Sequence, residues 1–95
     1  MVSLKKSMYV IEFDHAEKLE LKLLQLSRPV ASIDEYLKDV ELREHAECIR
    51  TVKVPSHSED WEDVEMAINE MGFDIVEWQI GDKKDLILVS KKSAD

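Results

Sequence analysis

Cys48 is the single cysteine of this chain, and His45 precedes it by three positions. That spacing could bring two metal ligands together, but a structural zinc site takes four, and the sequence has no second pair. We therefore predict no metal site and no cofactor. A reactive thiolate needs stabilisation, for example at a helix N-terminus, whereas Cys48 begins a predicted strand. Free cysteines are often buried, so we expect Cys48 to be a small buried side chain.

Ser27, Arg28 and Pro29 stand where a helix is predicted to begin, because proline suits the first helical turn. The free N–H groups at a helix start attract anions, and a guanidinium binds carboxylate or phosphate through parallel hydrogen bonds. We predict these three residues as a binding site for an anion or an acidic peptide. The alternative is a surface arginine that pairs with one of the many acidic residues nearby. No Gly-rich phosphate loop, metalloprotease motif or hydrolase elbow is present, and we predict that the protein is not an enzyme.

The balance of charge limits the possible partners. Twenty-one acidic and 13 basic residues give a net charge of −8. A nucleic-acid-binding protein normally presents a basic surface, so RNA binding would need a local patch of Lys83, Lys84, Lys91 and Lys92. The acidic surface either maintains solubility or docks a basic protein partner.

The chain of 95 residues is predicted to form one domain over residues 8–92, with flexible tails at 1–7 and 93–95. Nothing approaches about 18 consecutive apolar residues, so no membrane-spanning helix is expected. With no export signal and no possible internal disulfide, the expected compartment is the cytoplasm.

The N-terminal half predicts alternating elements. Residues 8–13 (MYVIEF) form a strand candidate, and a turn over residues 14–17 follows. Residues 18–24 fit a strand by the alternation of their leucines, but they fit a helix equally well. A helix is predicted from Pro29 to Val40, and the polar residues after it either prolong this helix or form a loop. Residues 48–54 read as a strand.

A second helix is predicted with a clear beginning and end. Ser56 and Glu59 have the spacing of a capping box, and Gly72 suits the left-handed position that ends a helix. Between them an apolar stripe recurs at helical spacing and should face a sheet. Its members are Trp61, Val64, Ile68 and Met71. The residues that should face water are Glu62, Glu65, Asn69 and Glu70.

A β-hairpin follows this helix, with strands at residues 73–80 and 85–89 around a turn at 81–84. In the first strand, Val76, Trp78 and Ile80 should share one face. Both faces of the second strand are apolar, which predicts an interior strand. If one sheet face is left open, its apolar side chains would need cover, and a homodimer is one solution. The candidates for that face are Phe73, Ile75, Ile87 and Val89.

From residue 18 onward, the order of elements is strand, proline-started helix, strand, helix, strand, strand. Leu26 to Pro29 (LSRP) align with a Leu-x-Cys-Pro motif, with Arg28 at the position of the cysteine. Asp63 and Val64 are followed by Gly72, nine positions after Asp63. The hairpin ends on the basic pair Lys91 and Lys92. Over about residues 18–92 the chain resembles the TusA/SirA family of small sulfur-carrier proteins.

The resemblance implies an α+β fold: a two-layer α/β sandwich with a mixed sheet and two helices on one face. Its β-α-β-α-β-β core has the sheet order 1-2-4-3, with the last strand, residues 85–89, inside the sheet and next to residues 48–54. It also favours a strand at residues 18–24. The extra strand at 8–13 should extend the edge beside it.

The resemblance also bears on function, because the family's carrier cysteine is replaced here by Arg28, which is no nucleophile. It therefore implies a non-enzymatic binding or adaptor protein with an unidentified protein partner. One alternative is a sulfur-carrier or thiol-transfer protein that uses Cys48, which would require an exposed thiol. The other is RNA binding, by analogy with the C-terminal domain of translation initiation factor three, and the net charge opposes it.

Overall fold

The structure is a computed structural model of the protein, and it describes residues 8–14, 20–54 and 61–92. The predicted tails, the capping box of Ser56 and Glu59, and most of the predicted turn at 14–17 lie outside these residues. Within the described residues, five strands and three helices follow one another. They are β1 (Met8–Asp14), β2 (Glu20–Gln25), α1 (Ile33–Lys38), α2 (Val40–Glu44), β3 (Glu47–Lys53), α3 (Trp61–Glu70), β4 (Phe73–Gln79) and β5 (Lys84–Lys91).

The five strands form one sheet in the order β3-β2-β1-β5-β4, and every neighbouring pair is antiparallel. The α+β class is confirmed. Also confirmed are the strand predicted at residues 18–24, which corresponds to β2, its antiparallel pairing with β1 and the interior position of β5. The predicted mixed sheet is wrong, and so is the placement of β1 at the edge. β1 lies at the centre because it buries side chains on both faces, with Tyr9 and Ile11 on one face and Val10 on the other. The TusA/SirA resemblance itself stays a prediction.

Helices cover both faces of the sheet. One core cluster contains the buried residues Val64 and Ile68 of α3, and the other contains Ile33, Tyr36 and Leu42 of α1 and α2. Since successive strand residues point to opposite faces, the sheet lies between two helical layers. The predicted two-layer sandwich with two helices on one face is therefore wrong. The open face suggested as a ground for a homodimer is also absent, because α3 packs on the face that holds Phe73, Ile75, Ile87 and Val89.

The helical segment after β2 begins later than predicted. Ser32 is the N-cap of α1, and its hydroxyl accepts a hydrogen bond from the backbone N–H of Glu35 at 3.2 Å. Pro29 lies before the helix. Asp39 ends α1 and also caps α2, where its side chain accepts from the N–H of Leu42 at 3.0 Å. Two short capped helices form because each start has its own capping side chain.

The helix α3 matches its predicted pattern in most respects. Val64 and Ile68 are buried against the sheet, and Met71 packs beside them. Gly72 has the left-handed backbone expected of a helix end, with φ of 93°. Trp61 is 41% exposed, so the stripe is only half-covered at its first turn. The four residues predicted to face water, Glu62, Glu65, Asn69 and Glu70, are exposed.

Candidate partner-binding groove

A groove lies between the turn that follows β2 and the helix α2. Its volume is about 430 Å³, and an adjoining cavity of about 340 Å³ continues it towards the start of β3. Ser27 and His45 line both spaces, so we treat them as one groove. Of the three residues predicted to form a binding site, Ser27 and Arg28 line this groove. Pro29 does not line it and is exposed beside it. The lining residues are Gln25, Leu26, Ser27, Arg28, Asp39, Glu41, Leu42, His45 and Glu47.

Arg28 is paired with acidic neighbours in this groove. Its guanidinium forms an ion pair with Asp39, and a second carboxylate, that of Glu35, lies 3.9 Å away. The arrangement corresponds to the alternative in which the arginine pairs with local acids. The helix start expected beside Arg28 is not there, because α1 begins at Ile33. An anion would thus have to compete with two carboxylates for the guanidinium.

Most of the charged groups around the groove are carboxylates. The carboxylates of Asp39, Glu41 and Glu47 line it, and that of Glu35 lies beside Arg28. The groove and its immediate surroundings therefore hold one formal positive charge and four formal negative charges. The hydrogen bond between His45 Nδ1 and the Glu41 carbonyl oxygen, 2.8 Å long, turns the ring of His45 towards α2. The groove is chemically suited to a cationic group, which could replace part of its hydration shell with the carboxylate oxygens around the groove.

Cys48 is exposed, and the prediction of a buried cysteine is wrong. It lies at the second position of β3, which is a strand at the edge of the sheet. Its Sγ lies 3.7 Å from the carbonyl oxygen of Arg50 and 3.8 Å from Thr51 Oγ1. Both contacts are to oxygen atoms, and neither atom carries a positive charge.

The strand β3 forms one edge of the sheet and is exposed along nearly its whole length. Among the described strands it pairs with β2 alone, with a register shift at its middle that indicates a bulge. Only Val52 is partly buried, while Ile49 is 49% exposed. Arg50 and Lys53 form no ion pair with any residue that the structure describes. Within the described part of the chain, the outer side of this edge therefore has no neighbouring strand, and its two cationic side chains have no ion pair.

Two polar contacts within the fold were missed by sequence reasoning. Glu77 Oε1 in β4 accepts a hydrogen bond from the N–H of Ile33 at 3.0 Å, which ties the start of α1 to the sheet. Asp85 is fully buried at the start of β5 and accepts from Trp78 Nε1 at 3.0 Å and from the N–H of Gly81 at 3.3 Å. A sequence signal existed only for the second contact, since an aspartate beside a glycine turn often bonds to its backbone.

The lysine patch that RNA binding would require does not form. Lys83 and Lys84 lie at the beginning of β5, and Lys91 and Lys92 lie at its end. A strand of this length separates them by about 23 Å, at roughly 3.3 Å per residue. Lys84 also lies 3.4 Å from a carboxylate oxygen of Glu12. The four lysines are therefore two separate pairs.

Across residues 8–14, 20–54 and 61–92, no three His, Cys, Asp or Glu side chains are placed to hold a metal ion. None of the helices in that part of the chain is long and apolar enough to cross a membrane. When the chain is compared with protein-family models, with curated proteins and with solved structures, no match is found.

Proposed function

We propose that this protein is a non-enzymatic binding protein that captures a protein partner in the groove between the β2–α1 turn and α2. The observation that carries the proposal is the excess of carboxylates around this groove. The sequence predicted that Ser27 and Arg28 take part in docking a partner, and both residues line the groove. The binding role does not depend on membership of a sulfur-carrier family.

The charges of the groove favour a cationic group of the partner. Asp39 and Glu35 already pair with Arg28, whereas Glu41 and Glu47 form no ion pair with a described residue. An arginine or lysine side chain of the partner could bind the carboxylates of Glu41 and Glu47 without first breaking an ion pair. Such partly exposed pairs are weak and screened by salt, so binding through this groove should be modest and salt-sensitive.

The test uses a short peptide of alternating arginine and glycine residues as the probe. Titrated into ¹⁵N-labelled protein, it should shift the amide signals of Ser27 and His45 more than those of α3. Arg28→Ala should strengthen its binding about two- to fivefold, because it removes the competing cation. Glu41→Gln should weaken binding by a similar factor. Glu44→Gln is the matched control, since Glu44 is exposed on the same helix and does not line the groove.

Arg28→Ala also separates this proposal from the binding of an anion. If Arg28 held an acidic peptide, its removal would abolish binding of a glutamate–glycine peptide and leave the arginine–glycine peptide unaffected. That outcome, or amide shifts that avoid the groove altogether, would refute the proposal.

A sulfur-carrier or thiol-transfer function that uses Cys48 is the second candidate, and the exposure of its thiol favours it. In native protein, an exposed thiol should react with an aromatic disulfide reagent as fast as it does in denaturant. The decisive measurement is whether Cys48 gains one sulfur atom from a persulfide donor by mass spectrometry and passes it to a second thiol. Failure to accept sulfur under conditions in which a small thiol accepts it would eliminate this candidate.

A further inference from the structure

The exposed edge strand β3 adjoins the groove. Glu47, its first residue, lines the groove, and the strand then runs outward to Lys53. Because β2 is the only described strand next to β3, the other side of β3 offers N–H and C=O groups to an added strand. Recognition by strand addition draws affinity from such backbone groups and specificity from the side chains that flank them.

The side chains of β3 define which strand would fit. Arg50 at its middle and Lys53 at its end are exposed cations without ion pairs in the described part of the chain, while Glu47 at the other end is an exposed anion. Opposite charges that face each other across two strands stabilise the pair, and like charges destabilise it. Ile49 adds exposed apolar surface between the charges.

A second copy of this chain fits the strand poorly. Full antiparallel overlap of two β3 strands would place Glu47 against Lys53 of the second copy, which is favourable at both ends. The same register places Arg50 against Arg50 of the second copy, where two guanidinium groups would repel each other. Two chains that each carry a net charge of −8 also repel each other at longer range.

We propose that β3 docks an extended segment of a partner protein as a sixth, antiparallel strand. That segment carries acidic residues opposite Arg50 and Lys53 and a basic residue opposite Glu47. The inference rests on the proposed binding function and deepens it by naming the kind of segment that is bound. The basic residue then lies at the acidic groove, so the groove and the edge strand hold one continuous segment.

The probe is a synthetic peptide of about seven residues, the length of β3, built from valine and threonine. In antiparallel register it has glutamate opposite Lys53 and Arg50, and lysine opposite Glu47. On addition, the amide signals from Glu47 to Lys53 should shift, and their hydrogen exchange should slow. Two further peptides carry N-methyl groups on alternate amides, one on each edge. One of these two should not bind, because its hydrogen-bonding edge is blocked.

Charge reversal tests the side-chain pattern. Arg50→Glu should weaken binding of the probe by about tenfold, since one attractive cross-strand pair becomes repulsive. A probe in which only the glutamate opposite position 50 is replaced by lysine should regain that affinity on the variant, since the pairs at Glu47 and Lys53 stay attractive. Lys38→Glu makes the same change in charge on α1, away from β3, and should leave binding unchanged. Thermal melting of both variants checks that the fold is retained.

Three outcomes would overturn the inference. Equal binding by both N-methylated peptides would mean that no strand is added. A dimer in sedimentation, with β3 amides protected in the free protein, would mean that a second copy occupies the edge. Shifts confined to Ser27 and His45 would leave the binding function of the groove in place and remove β3 from it.

Discussion

Ile68→Ala tests the packing of α3 on the sheet, which holds one of the two helical layers in place. Ile68 is fully buried in the core cluster that joins α3 to β1, β2, β4 and β5. It occupies the middle of the apolar stripe, so neighbouring side chains surround it on all sides. The substitution shortens the side chain without adding a polar group, and its effect therefore measures packing.

The expected loss follows from the atoms removed. At about 0.8 kcal/mol per buried carbon group, the loss of three groups costs roughly 2.4 kcal/mol of transfer free energy. The cavity left behind adds to this, and measured values for such substitutions are about 2–5 kcal/mol. The higher helix propensity of alanine offsets up to about 0.7 kcal/mol. We expect the free energy of unfolding to fall by about 3 kcal/mol.

Urea denaturation followed by tryptophan fluorescence measures this loss. With a slope of about 1–3 kcal/mol per molar urea, the midpoint should fall by roughly 1–3 M. Glu65→Ala and Met66→Ala are the controls on the same helix, and each should cost less than about 0.5 kcal/mol, as surface changes do. Met66 is 58% exposed, so it separates burial from hydrophobic character. An equal loss from Met66→Ala and Ile68→Ala would refute the assignment of the buried face.

Three further predictions concern single contacts. Glu77→Ala should cost about 1–3 kcal/mol because it leaves the N–H of Ile33 without its acceptor, while Glu77→Gln keeps an acceptor oxygen and should cost less in the same urea assay. Burial raises the pKa of Tyr36 above its usual value of 10.0, and the carboxylate of Glu12 acts in the same direction. The unfolded state therefore loses this proton first, and stability should fall as the pH rises above about 10; Tyr36→Phe should remove that part of the fall. Gly81→Ala should destabilise the β4–β5 turn, because its Cβ would lie 2.5 Å from the carbonyl oxygen of the residue three positions later, and a drop in melting temperature measures this.

Elements with consistent local signals could be predicted from the sequence. The apolar stripe of α3, the glycine that ends it and the hairpin of β4 and β5 all depend on contacts between residues close in the chain. The apolar residues on both faces of β5 also revealed its interior position. In β4, by contrast, the expected shared face of Val76, Trp78 and Ile80 is interrupted, because the register shifts between Ile75 and Glu77. Trp78 packs on the core, whereas Val76 and Ile80 are exposed.

The start of α1 was misplaced because two local signals competed. Pro29 suits a first helical turn, but Ser32 and Glu35 have the spacing of a capping box, and the helix begins at the serine. Glu35 also accepts a hydrogen bond from the N–H of Ala31 at 2.6 Å. Side-chain hydrogen bonds that satisfy free N–H groups decided the boundary, whereas a proline only makes a helix start permissible.

The contacts that define the candidate site join distant parts of the chain, and no spacing rule reports them. Glu77 and Ile33 are 44 residues apart, and Arg28 and Asp39 are 11 apart across a turn and a helix. Local composition indicated only that an arginine among many acids would find a partner. Which acids it meets depends on the two short helices, whose boundaries the sequence did not establish.

One feature of the sheet explains both the exposure of Cys48 and the exposure of the strand β3 that holds it. The order implied by the resemblance placed the strand of Cys48 inside the sheet, between β2 and β5. In the structure β1 takes that interior position, because Val10, Ile11 and their neighbours bury both of its faces. The strand β3 is therefore displaced to the edge, where Cys48 and Arg50 are exposed. An interior β3 would need apolar side chains on both faces, but its sequence ECIRTVK holds three charges. The exposed charges of β3 are thus consistent with its position, and they make this edge selective for the strand it could bind.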